Sequence, residues 1–185
     1  MQLLIAHKDA AARAALARAI TGGRDGDLEV LESGVGLEAV ELLLQDDAPR
    51  LAVVDWDLPG LDGPEFCRLV RDFHLGGPPY IVLLAGARHP DIEEGLEAGA
   101  NDCIRTPAPA AEIRERVDAG RRFVEVPWER AERGSLPERG SLLEAVRSRD
   151  PDGDGWDLLE SRDEHTGSGA PKRCTADLQA VLSER

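Results

Sequence analysis

Leu51-Ala52-Val53-Val54-Asp55-Trp56-Asp57-Leu58-Pro59-Gly60-Leu61-Asp62-Gly63 is the stretch on which the fold turns. Its first four residues are a continuous apolar run rather than an alternating one, the pattern of a parallel strand buried on both faces. A carboxylate closes the run at Asp55, and Pro59-Gly60 and Asp62-Gly63 supply the turn residues of a loop. Phe66, Leu69, Val70 and Phe73 then recur at helical spacing. Buried strand, acidic loop and amphipathic helix together make one βα unit.

The same unit recurs on both sides. Leu3-Leu4-Ile5-Ala6 precedes an Ala-rich helix capped by Asp9 and running to Ile20, with Gly22-Gly23 at its end. Leu28-Glu29-Val30-Leu31 alternates weakly as a second strand, and Leu37, Val40, Leu43 and Leu44 mark the helix after it. Tyr80 to Ala85 is the fourth run, followed by a helix from Asp91 to Ala98 that ends at Gly99. Cys103-Ile104 is a short fifth strand before Thr106-Pro107, and Ile113, Val117, Phe123 and Val124 lie on a last helix. Five strand–helix pairs over residues 1–124 predict an α/β fold with a doubly wound five-stranded parallel sheet. Such sheets work at the carboxyl ends of their strands. That rule nominates His7, Lys8, Asp9, Asp55, Ala85 and Arg105-Thr106.

Composition sets the outer bounds. At roughly 150 residues per domain, the chain's 185 residues hold one full domain and an appendage. Apolar residues make up 42%, enough for a core, but aromatics only 4%, so that core is aliphatic. A formal charge of −14 argues against nucleic acid as a partner. Cys67, Cys103 and Cys174 have no CxxC spacing, which disfavours a zinc site or a disulfide framework. With no apolar stretch near 18 residues and no basic leader, no membrane partner and a cytoplasmic location are expected.

Residues 125–185 differ in kind and read as a linker and C-terminal tail, partly helical or disordered. Pro127 breaks the last helix, RGSLPE at 133–138 is nearly repeated as RGSLLE at 139–144, and Ser141 with Glu144 forms a capping box. Asp150, Asp152 and Asp154 stand at the first, third and fifth positions of a calcium loop, whose closing position falls on Ser161 rather than a carboxylate. Two readings stay open there: a calcium site or an acidic, turn-rich linker.

The stretch from Asp55 to Gly63, with LLIA at 3–6 and GLEAGANDCIRTP at 95–107, resembles the response-regulator receiver (CheY-like) domain family in a degenerate, pseudo-receiver form. The resemblance covers residues 1–124. It implies a flavodoxin-like (βα)5 fold and a signalling rather than enzymatic role in a two-component phosphorelay. The implied partners are a histidine kinase or a downstream signalling protein, with contact or homodimerisation through the face of helices 4 and 5. In that family the strand-end aspartate accepts a phosphoryl group, which places Asp55 as the phosphoacceptor candidate. Two acidic residues after the first strand hold Mg²⁺ there; here the pair reads His7-Lys8 with Asp9 next. No cofactor is expected, and Mg²⁺ at Asp9 and Asp55 only if the pocket is functional. The family's Thr or Ser after the fourth strand falls on Leu84, with the small Ala85 retained. Its Lys-Pro after the fifth reads Thr106-Pro107, and its aromatic switch residue is Cys103.

These substitutions share a theme, because an aspartate attacking a dianion needs its charge neutralised. Lys8 would bring an ammonium toward Asp55, and at roughly 4 Å such a pair gains a few kcal/mol before desolvation is charged against it. One reading makes Lys8 a built-in counter-ion that fixes Asp55 without metal; the other sends it to solvent over a decayed pocket. His7 is either a pH-sensitive partner of Asp55 or Asp57 or a plain polar cap, and Asp57 either aids metal binding or faces water. Cys103 is either a redox sensor or an ordinary strand residue. SRDP at 148–151 and SRDEHTG at 161–167 resemble the entry to diguanylate cyclase (GGDEF) domains. Three functions follow: an atypical receiver acting through protein–protein interaction, a phosphorylation-competent switch at Asp55, or the regulatory receiver of a truncated diguanylate cyclase.

Overall fold

A computed structural model describes residues 1–22, 28–45, 47–73, 78–89 and 92–125. Five strands alternate with five helices: β1 (Gln2–Ala6), α1 (Ala10–Thr21), β2 (Glu29–Ser33), α2 (Gly36–Leu43), β3 (Leu51–Asp55), α3 (Gly63–Asp72), β4 (Tyr80–Ala85), α4 (Glu93–Glu97), β5 (Asp102–Arg105) and α5 (Ala110–Glu125). The strands pair in parallel in the order β2-β1-β3-β4-β5. The order reverses between β1 and β3, so the crevice outside their carboxyl ends is the place where such a sheet binds and reacts.

The strand runs form because their side chains have no polar face to show. All five residues of β3 are buried, as are five of six in β4. On one side Leu3, Ile5, Leu51, Val53, Val82, Leu84 and Ile104 pack under Leu16 and Ile20 of α1 and Ile113 and Val117 of α5. β2 lies at the sheet edge and starts one residue later than its apolar pattern implied, with Glu29 and Glu32 outward and Ser33 buried.

Local chemistry sets the helix ends. The Asp9 carboxylate accepts from the N–H groups of Ala11 and Ala12 to start α1, and Gly22, in the left-handed region at φ 62°, ends it. Asp62 accepts from the Glu65 N–H and Pro64 opens the first turn of α3. α4 is shorter than the helix expected from Asp91 to Ala98; it begins at Glu93, and Asp91 lies outside the described residues. Also outside them lie the tail from residue 126, the calcium-loop candidates Asp150, Asp152 and Asp154, Cys174 and both cyclase-like stretches. Among the described residues no helix is long and apolar enough to cross a membrane.

Candidate functional site

Asp55 ends β3 beside Leu84 of β4, and the side chain after β1 that faces it is His7. The His7 ring is oriented from behind: its Nδ1 accepts the Asp9 N–H at 3.0 Å, which leaves Nε2 as the proton-bearing nitrogen in the neutral ring. Nε2 lies 3.6 Å from Asp55 Oδ2, too far for a hydrogen bond but close enough for charge attraction when the ring is protonated. Oδ2 is buried and has no hydrogen-bond partner among the described residues. A buried carboxylate oxygen facing an imidazole is therefore the innermost feature of the site.

Lys8 goes elsewhere. Its Nζ lies 3.4 Å from Asp57 Oδ2, so the Lys8–Asp55 pair of the counter-ion reading is not formed. Successive side chains leaving an extended strand project to opposite sides, and His7 holds the position over Asp55. Asp57 does not simply face water either. Arg88 Nη2 reaches its Oδ2 at 2.7 Å and His89 Nε2 its Oδ1 at 2.8 Å. Partial burial raises the Asp57 pKa, but the hydrogen bonds from His89 and Arg88 and the charge of Lys8 outweigh it and hold the group below its usual 3.8. Lys8 from the end of β1 and Arg88 and His89 from the segment after β4 thus meet on one carboxylate.

The donor set does not fit Mg²⁺. A hard cation needs oxygen ligands free to turn toward it. Asp9 Oδ1 accepts from both α1 amides, which fix the carboxylate as a helix cap and hold its pKa below the usual value. Asp57 is engaged through both oxygens, Oδ2 with Lys8 and Arg88 and Oδ1 with His89. Among the described residues no group of three His, Cys, Asp or Glu side chains is placed to hold a metal ion.

The remaining positions lie around this centre. Leu84 and Ala85 are buried and offer no side-chain hydrogen bond, although the Leu84 carbonyl accepts the Trp56 N–H at 3.0 Å. The Thr106 N–H donates to the Ala85 carbonyl at 2.8 Å, and the Thr106–Pro107 bond is cis. Cys103 is half-buried; burial first and then Asp102 push its thiol up to about 11, while burial pushes Cys67 to about 12. Thiols so protonated at neutral pH do not support the redox reading. A Cβ added at Gly95 would lie 3.1 Å from Cys103 Sγ and 2.9 Å from Trp56 Cζ3, so thiol and indole border the same point of α4.

The fold has known counterparts. Residues 3–118 match the response regulator receiver domain family. The chain belongs to that family. The transcriptional regulatory protein CseB of Streptomyces coelicolor is 38% identical over 110 residues, covering 58% of this chain and 46% of that protein. A putative response regulator from Chloroflexus aurantiacus is 30% identical at a TM-score of 0.56, covering 64% of this chain and 95% of that one. The receiver domain of the sensor histidine kinase PA1611 from Pseudomonas aeruginosa, 21% identical at a TM-score of 0.55, covers 67% of this chain and 97% of that one. It shares the fold and carries magnesium in its active-site cleft. The receiver fold and its place in two-component signalling are thereby confirmed for this chain. It spans about half the length of the curated transcriptional regulators it matches.

Arg88, His89 and Trp56 belong to the candidate site, and the sequence reading missed them. The Trp56 indole is buried and stacks on the His89 imidazole, with ring centroids 4.9 Å apart and planes 19° from parallel. A signal for the first two existed. Basic residues stand three and four positions past the end of β4, the strand beside β3, opposite a loop with a second carboxylate two residues past Asp55.

Proposed function

We propose that this chain is a receiver module that works by protein–protein contact, with its pocket set by its own side chains rather than by metal and phosphoryl group. One observation carries the reading: Lys8, Arg88 and His89 already occupy the carboxylate beside the candidate acceptor. In a receiver that uses metal, cation and incoming phosphoryl group neutralise one another; here the neutralisation is internal. Such a module is not an enzyme and has no cofactor. It acts in the cytoplasm on a histidine kinase or a downstream signalling protein. The contact or homodimer face would be that of α4 and α5, where Leu96 and Phe123 are 43% and 54% exposed.

A second reading keeps Asp55 as a phosphoacceptor, favoured by an Asp55 Oδ2 that has no hydrogen-bond partner among the described residues. The two separate by intact mass after incubation with acetyl phosphate and Mg²⁺, with Asp55→Asn as control. No added phosphoryl group on wild type supports the contact module. One group on wild type and none on the control would establish the switch.

A further inference from the structure

We propose that Trp56, stacked on His89 and steered by Asp57, is the internal coupling between the pocket and helix α4. The inference rests on the reading of a pocket set by its own side chains, and it names the part through which that setting reaches the contact face. Trp56 is fixed at its backbone: its N–H donates to Leu84 and its carbonyl accepts the Gly63 N–H at 2.8 Å. Its buried ring touches two elements. One is the His89 imidazole, and the other is α4, where the indole Cζ3 approaches Gly95 so closely that not even a methyl group fits between them.

His89 is the adjustable partner. Its ring is held by Asp57 Oδ1 at 2.8 Å, its N–H donates to the Gly86 carbonyl at 3.0 Å, and its carbonyl accepts from Arg105 Nη1 at 3.3 Å. Freeing the ring from Asp57 removes what fixes its angle against the indole. Close-packed groups respond to such a change by shifting together rather than by leaving a gap. The Trp56 ring then presses on or withdraws from Gly95, and α4 follows. Leu83 Cδ1 of β4 and Cys103 Sγ of β5 border the same point, at 2.9 and 3.1 Å from an added Cβ, so the aromatic contact with α4 comes from Trp56 while the other two neighbours are aliphatic and sulfur.

Amide hydrogen exchange on the full chain tests this, comparing wild type, Asp57→Asn, Trp56→Leu and the double variant. Asp57→Asn preserves shape and weakens the charge-assisted bonds, so exchange rises roughly tenfold at residues 86–89. The proposal expects a rise of the same order at residues 93–97. In the Trp56→Leu background, Asp57→Asn still raises exchange at 86–89 but adds nothing at 93–97. Unchanged exchange at 93–97 in Asp57→Asn, or an equal rise there with and without the indole, would overturn the coupling. Should Trp56→Leu unfold the domain, Trp56→Phe takes its place with the same expectation, since it keeps a stackable ring that falls short of Gly95. These readouts are independent of phosphoryl transfer, so failure of the contact-module reading and failure of the coupling are separately visible.

Discussion

At Asp57 two opposing effects act on one carboxyl group. Partial burial favours the neutral acid, while His89, Arg88 and Lys8 favour the anion, and the anion wins. The unfolded chain lacks those partners, so it takes up a proton near 3.8 while the folded chain resists it. The clasp's contribution is thus complete above pH 3.8 and is lost as pH falls through the lower folded value. Urea unfolding should show wild type losing about 1 kcal/mol more than Asp57→Asn across that acid range, as partly exposed ion pairs contribute modestly. Parallel curves for the two proteins would mean the clasp adds nothing to stability. The thiols give a second expectation at this scale. Cys67 and Cys103, held up at about 12 and about 11, should resist iodoacetamide at pH 7 in the folded protein and react on denaturation, which peptide mass mapping reads directly.

Elements explain which features the sequence disclosed. The strand runs and the cap at Asp9 were legible because burial and N-terminal amides act within a few residues, whereas Asp62 read only as a turn residue and proves to cap α3. Asp62→Ala should therefore cost about 1 kcal/mol through the start of α3. Ile5→Ala, in the fully buried centre of β1, should cost roughly 2–5 kcal/mol, both measured by chemical denaturation. Asp55 and Ala85 were legible for the same reason, standing at the ends of β3 and β4. The partner of Lys8 was not. Neighbouring positions after a strand diverge, and the segment that carries Arg88 and His89 is placed by tertiary packing rather than by local propensity. Asp9 also had two possible uses in sequence, helix cap and metal ligand, and the α1 amides claimed it.

At the scale of the whole molecule, sheet order puts β1, β3 and β4 side by side, so three loops distant in sequence meet at one mouth. The family's fold is kept in full, and the proposed reading is that basic groups at that mouth, Lys8, Arg88 and His89 on Asp57, take the place of a bound cation. That replacement is the central claim, and a Mg²⁺ titration of the isotopically labelled full chain, followed by amide NMR shifts, tests it most directly. Residues 7–9 and 55–57 should show no saturable shift at millimolar Mg²⁺. A saturable shift at those residues that disappears in Asp55→Asn would contradict the claim and restore the metal to the pocket.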